Sequence, residues 1–242
     1  MESASNKPLA IVTGAGRGIG RAIAIALARE GYALSLVART RTELEKTREL
    51  TGLPARESLI VLLDLTQQDA AELLVDETAA HFGRIDVLVN NAGYAPPRTR
   101  LEKLTAAEIE RIVTVNLTAP IKLCHSVIGK MTRGGGSIVN IASNAARESR
   151  SGETVYAGAK AGLIVFTHTL FAEVRERGIK VSVIVPNLTD TSFIPDNKRL
   201  DRAKMMRAED IAAAVVQTID APAGTCPVEI VLQPQNDPLQ RR

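Results

Sequence analysis

The run Thr13-Gly14-Ala15-Gly16-Arg17-Gly18-Ile19-Gly20 decides how the rest of this chain is read. It follows the apolar segment Leu9-Ala10-Ile11-Val12, which suits a buried strand, and leads into Arg21 to Arg29, an apolar segment that suits a helix. A glycine-rich turn between strand and helix lets the backbone approach an anion closely. The helix start then presents unpaired N–H groups and a partial positive charge. The spacing is G-x-x-x-G-x-G and no Lys-Ser/Thr follows, so the turn does not read as a nucleoside triphosphate loop. The anion it suits is a pyrophosphate.

Outward from this turn, β-branched runs alternate with segments of helical period, the pattern of βαβ units around a parallel sheet. Strands are expected near Leu9 to Thr13, Ala33 to Ala38, Leu59 to Leu63, Ile85 to Asn90, Ser137 to Ala142, Lys180 to Val185 and Val228 to Leu232. Most are continuously apolar, as strands covered on both faces should be. Thr40 with Glu43, Thr66 with Asp69 and Thr105 with Glu108 each place an acceptor three residues after a capping hydroxyl, which marks helix starts. A long helix is expected from Gly152 to Arg177, closed by Gly178, and another from about Glu209. The sum is an α/β fold, a doubly wound seven-stranded parallel sheet with helices on both faces in a three-layer sandwich. Its site is expected at the carboxyl ends of the strands.

At 242 residues, 45% of them apolar and 24% charged, the chain can bury a sizeable core, and no linker, repeat or low-complexity tract divides it. Residues 1–242 read as a single domain. The 30 basic and 27 acidic residues are scattered, and aromatics are 3% with no Trp, so nucleic acid is not an expected partner. Gln240-Arg241-Arg242 reads as a solvated tail. Cys124 and Cys226 lack C-x-x-C spacing, and His81, His125 and His168 lack metal-like spacing, so no metal is expected and a reducing cytoplasm fits best. Met1 to Pro8 holds no apolar run, and no later segment is an uninterrupted apolar stretch of about 20 residues, so neither signal peptide nor membrane span is expected.

The end of the second strand reads Val37-Ala38-Arg39-Thr40-Arg41, without the carboxylate that binds a ribose 2′-hydroxyl in NAD-binding domains. Arg39 and Arg17 would clasp a 2′-phosphate, because a planar guanidinium offers paired donors that match phosphate oxygens. The plainer reading of both is a solvated surface arginine. The first reading makes the cofactor NADP, bound as NADPH in the reducing direction.

Further motifs follow in order. Asn90-Asn91-Ala92-Gly93 ends the fourth strand, Asn116 lies in the next helix, and Ser143 stands 13 residues before Tyr156-x-x-x-Lys160. With Thr13-Gly14-x-x-x-Gly18-x-Gly20 ahead of them, they resemble the short-chain dehydrogenase/reductase family over nearly the whole chain. The likeness is to 3-oxoacyl-thioester reductase-like and other NADPH-dependent carbonyl reductase members, with their Rossmann fold. It implies that Gly14, Gly16, Arg17, Gly18, Ile19, Gly20, Arg39 and Thr40 bind the cofactor, that Asp64 and Leu65 flank the adenine, and that Asn91, Ala92 and Gly93 line the cleft. Asn116 would hold a proton-relay water, Ser143 bind the carbonyl oxygen, Tyr156 protonate it, and Lys160 contact the nicotinamide ribose and tune Tyr156.

The residues support the same roles physically. A spacing of four on a helix puts Tyr156 and Lys160 on one face. A nearby ammonium favours the phenolate and brings the phenol closer to working pH. The reading is therefore an oxidoreductase that reduces a ketone or aldehyde reversibly; the competing class is a noncatalytic NADP-binding regulator or scaffold.

Where many family members have Pro-Gly after the sixth strand, this chain has Pro186-Asn187-Leu188-Thr189-Asp190-Thr191. Asn tolerates the left-handed conformation better than most residues. Thr189 and Thr191 are expected near the carboxamide and phosphates, and residues 192–206 as a lid over the substrate. Tyr94, Asn144, Arg147 and Phe193 are candidate substrate contacts by position, with surface or packing roles the plainer reading of each, and Arg147 with Arg150 would favour an anionic substrate or simply stand solvated. Gln233-Pro234-Gln235-Asn236-Asp237-Pro238 lacks the glycine-rich ending common among family tetramers, so a homodimer through the long helices or a homotetramer is expected.

Overall fold

The computed structural model describes residues 7–131 and 135–239; Met1 to Asn6 and the Gln240-Arg241-Arg242 tail lie outside the described residues. The expected strands form as β1 (Leu9–Thr13), β2 (Ala33–Ala38), β3 (Ser58–Leu62), β4 (Val87–Asn90), β5 (Gly136–Ile141), β6 (Ile179–Pro186) and β7 (Glu229–Leu232). They make one sheet in the order β3-β2-β1-β4-β5-β6-β7, every pair parallel. The winding reverses between β1 and β4, and a crevice opens there at the carboxyl ends of the strands.

Alternation along β1 shows how the layers are held. Ala10 and Val12 face one core, shared with α1 (Gly18–Arg29), α2 (Arg41–Thr51) and α7 (Ala208–Ile219). Leu9 and Ile11 face the other, shared with α3 (Ala70–Phe82), α5 (Ala119–Ile128) and α6 (Thr154–Val174). Each fully buried Leu or Ile, such as Ile11, Leu27, Leu34 and Leu88, contributes about 1.5–3 kcal/mol.

Only one of the three expected capping boxes forms. Before α4 (Ala106–Val113), the Thr105 N–H donates to Glu108 Oε2 at 2.8 Å and the Glu108 N–H to Thr105 Oγ1 at 3.2 Å. The Thr40 hydroxyl makes no cap bond, and the Glu43 side chain turns towards Arg17 rather than back to the Thr40 N–H. Thr66 donates from its N–H and hydroxyl to Asp64 Oδ1, and α3 starts only after Asp69.

The long helix is shorter than expected: α6 ends at Val174, and a 3-10 turn carries it to Gly178, whose φ of 74° is the left-handed stop. By length and composition Thr154–Arg177 is apolar enough to cross a membrane, a test that the core helix of a folded domain also passes. Here it packs Leu163, Leu170 and Val174 inward. A buried polar chain fixes its seat: Asn90 Nδ2 donates to Asn140 Oδ1, Asn140 Nδ2 to Thr167 Oγ1 (both 2.9 Å), and Thr167 to the Leu163 carbonyl at 2.7 Å. Unpaired polar groups are costly in a core, so this chain sets the register of α6 against β4 and β5.

Candidate active site

The glycine-rich turn is held from behind. Thr47 on α2 donates to the Ala15 carbonyl at 2.9 Å, and Arg21 donates to the Gly16 carbonyl and, at 3.1 Å, to Thr47 Oγ1. The acceptors of the loop are thus drawn away from the crevice. Helix geometry leaves the first-turn N–H groups of α1 without intrahelical partners, and Arg17 places no side-chain cap on them. On the other side Asn91 Nδ2 donates to the Thr13 carbonyl at 2.9 Å, while Thr13 Oγ1 accepts from the Asn91 and Ala92 N–H groups at 3.0 and 3.1 Å. A Cβ on Gly20 would collide with the Gly14 carbonyl and Asn91 Nδ2, so only glycine lets α1 sit this close to the loop.

Above this frame lies a cleft of about 340 Å³. Every residue expected to bind cofactor lines it: Gly14, Gly16, Arg17, Gly18, Ile19, Gly20, Arg39, Thr40, Asp64, Leu65, Asn91, Ala92, Gly93, Tyr156, Lys160, Thr189 and Thr191. Ser143, Tyr94 and Phe193 line it as well. Arg17 and Arg39 do not stand free; Arg17 faces Glu43 and Arg39 faces Asp64, each at 3.8 Å. Burial alone would push the Asp64 carboxyl up, but the Thr66 N–H and hydroxyl, then Arg39 and Arg111, outweigh it and hold the carboxyl below its ordinary range.

Two expected substrate contacts point elsewhere. Asn144 is buried and donates to Glu148, and Arg147 pairs with Glu229, which also takes His168 at 3.0 Å. Both sit past the strand end, where a carboxylate neighbour pulls them from the crevice. Arg150 pairs with Glu148, so it too carries a counter-ion.

Asn116 lies in a π-helical turn, Thr114–Thr118, and is fully buried rather than part of the cleft wall. Its Nδ2 donates to the carbonyls of Tyr94 (2.6 Å) and Ile112 (2.8 Å), and its Oδ1 accepts from the Tyr94 N–H at 3.3 Å. In this structure it clamps the loop after Gly93, leaving only spare acceptor capacity on Oδ1 for a water.

Tyr156 and Lys160 share a face of α6, as the spacing requires, with Lys160 Nζ 6.0 Å from the centre of the Tyr156 ring. The expected lowering of the phenol is not what the surroundings produce. Burial pushes Tyr156 up to about 12, with the Ser143 hydroxyl acting against it and Glu153 adding to it. Lys160 is itself buried, donates to the Ile141 carbonyl at 2.7 Å, and is pushed down to about 8 by loss of solvent. Burial thus drives the two groups apart in protonation behaviour, the phenol upward and the ammonium downward.

The turn after β6 also differs from expectation. Among the described residues no non-glycine has a positive φ, so Asn187 does not use the left-handed conformation. It is tied instead to the end of β7, its N–H donating to the Leu232 carbonyl at 3.1 Å and its Nδ2 to Gln233 Oε1 at 2.5 Å. Within residues 192–206, Arg202 bonds Asp190, the Ile194 carbonyl (2.8 Å) and Asp196 (3.0 Å). This holds the turn that sets Phe193 6.3 Å from the Tyr156 ring.

The ordered loop, clamp and phenol account for one known architecture, and the family model for short chain dehydrogenases matches residues 8–201. The chain belongs to that family. This short-chain dehydrogenase is 32% identical over 228 residues to the cis-4-hydroxycyclohexanecarboxylate dehydrogenase of Sinomonas cyclohexanicum, covering 89% of this chain and 90% of that protein. It is 32% identical over 217 residues to the 3-oxoacyl-(acyl-carrier-protein) reductase of Escherichia coli, covering 86% and 87%. A short chain dehydrogenase from Burkholderia cenocepacia, solved in complex with NADP, superposes with a TM-score of 0.86 at 29% identity over 95% of this chain and 97% of that one.

As a short-chain dehydrogenase the chain is an oxidoreductase that interconverts CH–OH and C=O groups of a small molecule with a nicotinamide cofactor. The turn fits such a group: the start of α1 carries no side-chain cap, and the Ala15 and Gly16 carbonyls are tied behind by Thr47 and Arg21. Reading the sequence missed Arg21 and Thr47, which no motif marks, and Glu43 and Arg111, which line the cleft. Arg111 lies 4.3 Å over the Tyr94 ring, a pairing that sequence separation hides.

Proposed function

We propose that this enzyme reduces a ketone or aldehyde carbonyl with NADPH, reversibly, with Tyr156 as general acid and base. The observation that carries this reading is the meeting of Ser143, Tyr156 and Lys160 on one cleft with the glycine-rich turn. When bound, the nicotinamide supplies the hydride. Ser143 and Tyr156 present hydroxyl donors to the oxygen on which negative charge develops. With its phenol raised to about 12, Tyr156 holds its proton at neutral pH and is the donor in the reducing direction. Lys160 places a positive charge on the same side of the cleft, and Asn116 holds the Tyr94 backbone and accepts a relay water on Oδ1.

The preference for NADPH is supported by Arg17 and Arg39 on the cleft wall and by the lack of a carboxylate at the end of β2. The Burkholderia relative, whose structure holds NADP, supports it too. Phe193 and Tyr94 supply the apolar walls for the substrate, and residues 192–206 cover that side. The apolar helix Thr154–Arg177 is only partly covered within one chain, with Val165 65% exposed on it, which supports pairing with a second copy.

Cofactor oxidation by the purified enzyme over a panel of ketones and aldehydes tests the reading. NADPH should be consumed faster than NADH with at least one member, and Arg39→Ala should weaken NADPH while sparing NADH. A preference for NADH, or no turnover with either cofactor, contradicts it. Light scattering should give a dimer or tetramer; a concentration-independent monomer contradicts the pairing.

A further inference from the structure

Among the groups lining the cleft, Glu43 has no part in the scheme above. It stands in the first turn of α2, and its backbone carbonyl accepts from Arg21 Nη2 at 3.4 Å and lies 3.0 Å from Thr47 Oγ1, whose one proton it shares with the Ala15 carbonyl. From that anchor the side chain folds over the phosphate loop. A Cβ on Gly16 would lie 3.0 Å from both Glu43 Cβ and Oε2, and Glu43 Oε1 is 3.8 Å from Arg17 Nη1. The carboxylate is therefore directed into the anion-binding corner and withheld from the capping role at Thr40.

We propose that Glu43 is a specificity-determining residue that sets the discrimination between NADPH and NADH, by serving as the resident counter-ion of Arg17. The inference rests on reading Arg17 and Arg39 as ligands of the 2′-phosphate. An incoming 2′-phosphate has to take Arg17 from Glu43 and bring its own negative charge close to the carboxylate. NADH carries no such group and meets neither cost. The pyrophosphate, common to both cofactors, is served by the backbone of the turn. Glu43 thus acts on the one feature by which the two cofactors differ.

Glu43→Gln keeps the size and hydrogen bonding of the side chain and removes its charge. Calorimetric titration of the intact enzyme with NADPH, NADH, 2′,5′-ADP and 5′-AMP reads the effect without turnover. Neutralising one partly exposed charge should tighten NADPH and 2′,5′-ADP about fivefold and leave NADH and 5′-AMP within about twofold. Glu43→Met, a second neutral variant of similar length, should shift the same pair in the same direction. Unchanged binding of 2′,5′-ADP, or equal tightening of all four ligands, overturns the proposal. Failure of the underlying reading shows separately: in the unmodified enzyme, NADPH would bind no tighter than NADH.

Discussion

Lys160 is only 3% exposed, and its ammonium, pushed from 10.5 to about 8, is charged at neutral pH in a site that disfavours charge. Holding it there costs about 3 kcal/mol relative to the neutral amine. Lys160→Met fills the same space without charge or donor. The change removes that cost but leaves the Ile141 carbonyl without its 2.7 Å partner, a loss of about 1–2 kcal/mol. The variant should therefore be about 1–2 kcal/mol more stable than the parent at neutral pH while losing most activity.

The pH dependence gives a sharper test. The folded pKa lies below the unfolded one, so between pH 8 and 10.5 the unfolded chain binds the extra proton and the stability of the parent rises with pH. Lys160→Met lacks this rise. Its advantage should be full below pH 8 and shrink by about 2 kcal/mol at about pH 9.5. Urea unfolding followed by circular dichroism at both pH values measures it, and the difference between the two proteins cancels groups they share. A variant that is less stable at neutral pH, by an amount independent of pH, would refute the reasoning.

Gly20→Ala should cost about 1–3 kcal/mol and weaken cofactor binding, since the new methyl meets the Gly14 carbonyl; thermal melting and titration check both, and wild-type values for each would sink the close-packing argument. Thr105→Ala should cost about 1 kcal/mol and Thr40→Ala less than about 0.5 kcal/mol, because only Thr105 caps a helix; equal losses in urea unfolding would contradict that assignment.

The sheet was legible because buried parallel strands carry their signal locally, as β-branched runs such as Leu9 to Thr13. The phosphate turn was legible for a similar reason: glycines are required wherever a backbone passes close to another, as Gly20 passes Gly14. Charged side chains were harder. Glu43 has the spacing of a capping residue, and only the fold shows that Arg17 is the better partner. Arg147 reads as a substrate contact until β7 brings Glu229 beside it, more than eighty residues away in sequence. The environment of Tyr156 was misread in the same way. Spacing gives the face of the helix, but the direction of a pKa depends on how deeply both groups are buried.

The central claim is that the Tyr156 phenol carries the proton of the reaction. Tyr156→Phe removes one oxygen from the cleft and leaves the turn, Lys160 and the walls in place. Turnover of the best carbonyl substrate should fall about 10²–10⁴-fold, with NADPH affinity within about threefold of the parent. Turnover close to that of the unmodified enzyme, with NADPH bound as tightly, would contradict the account.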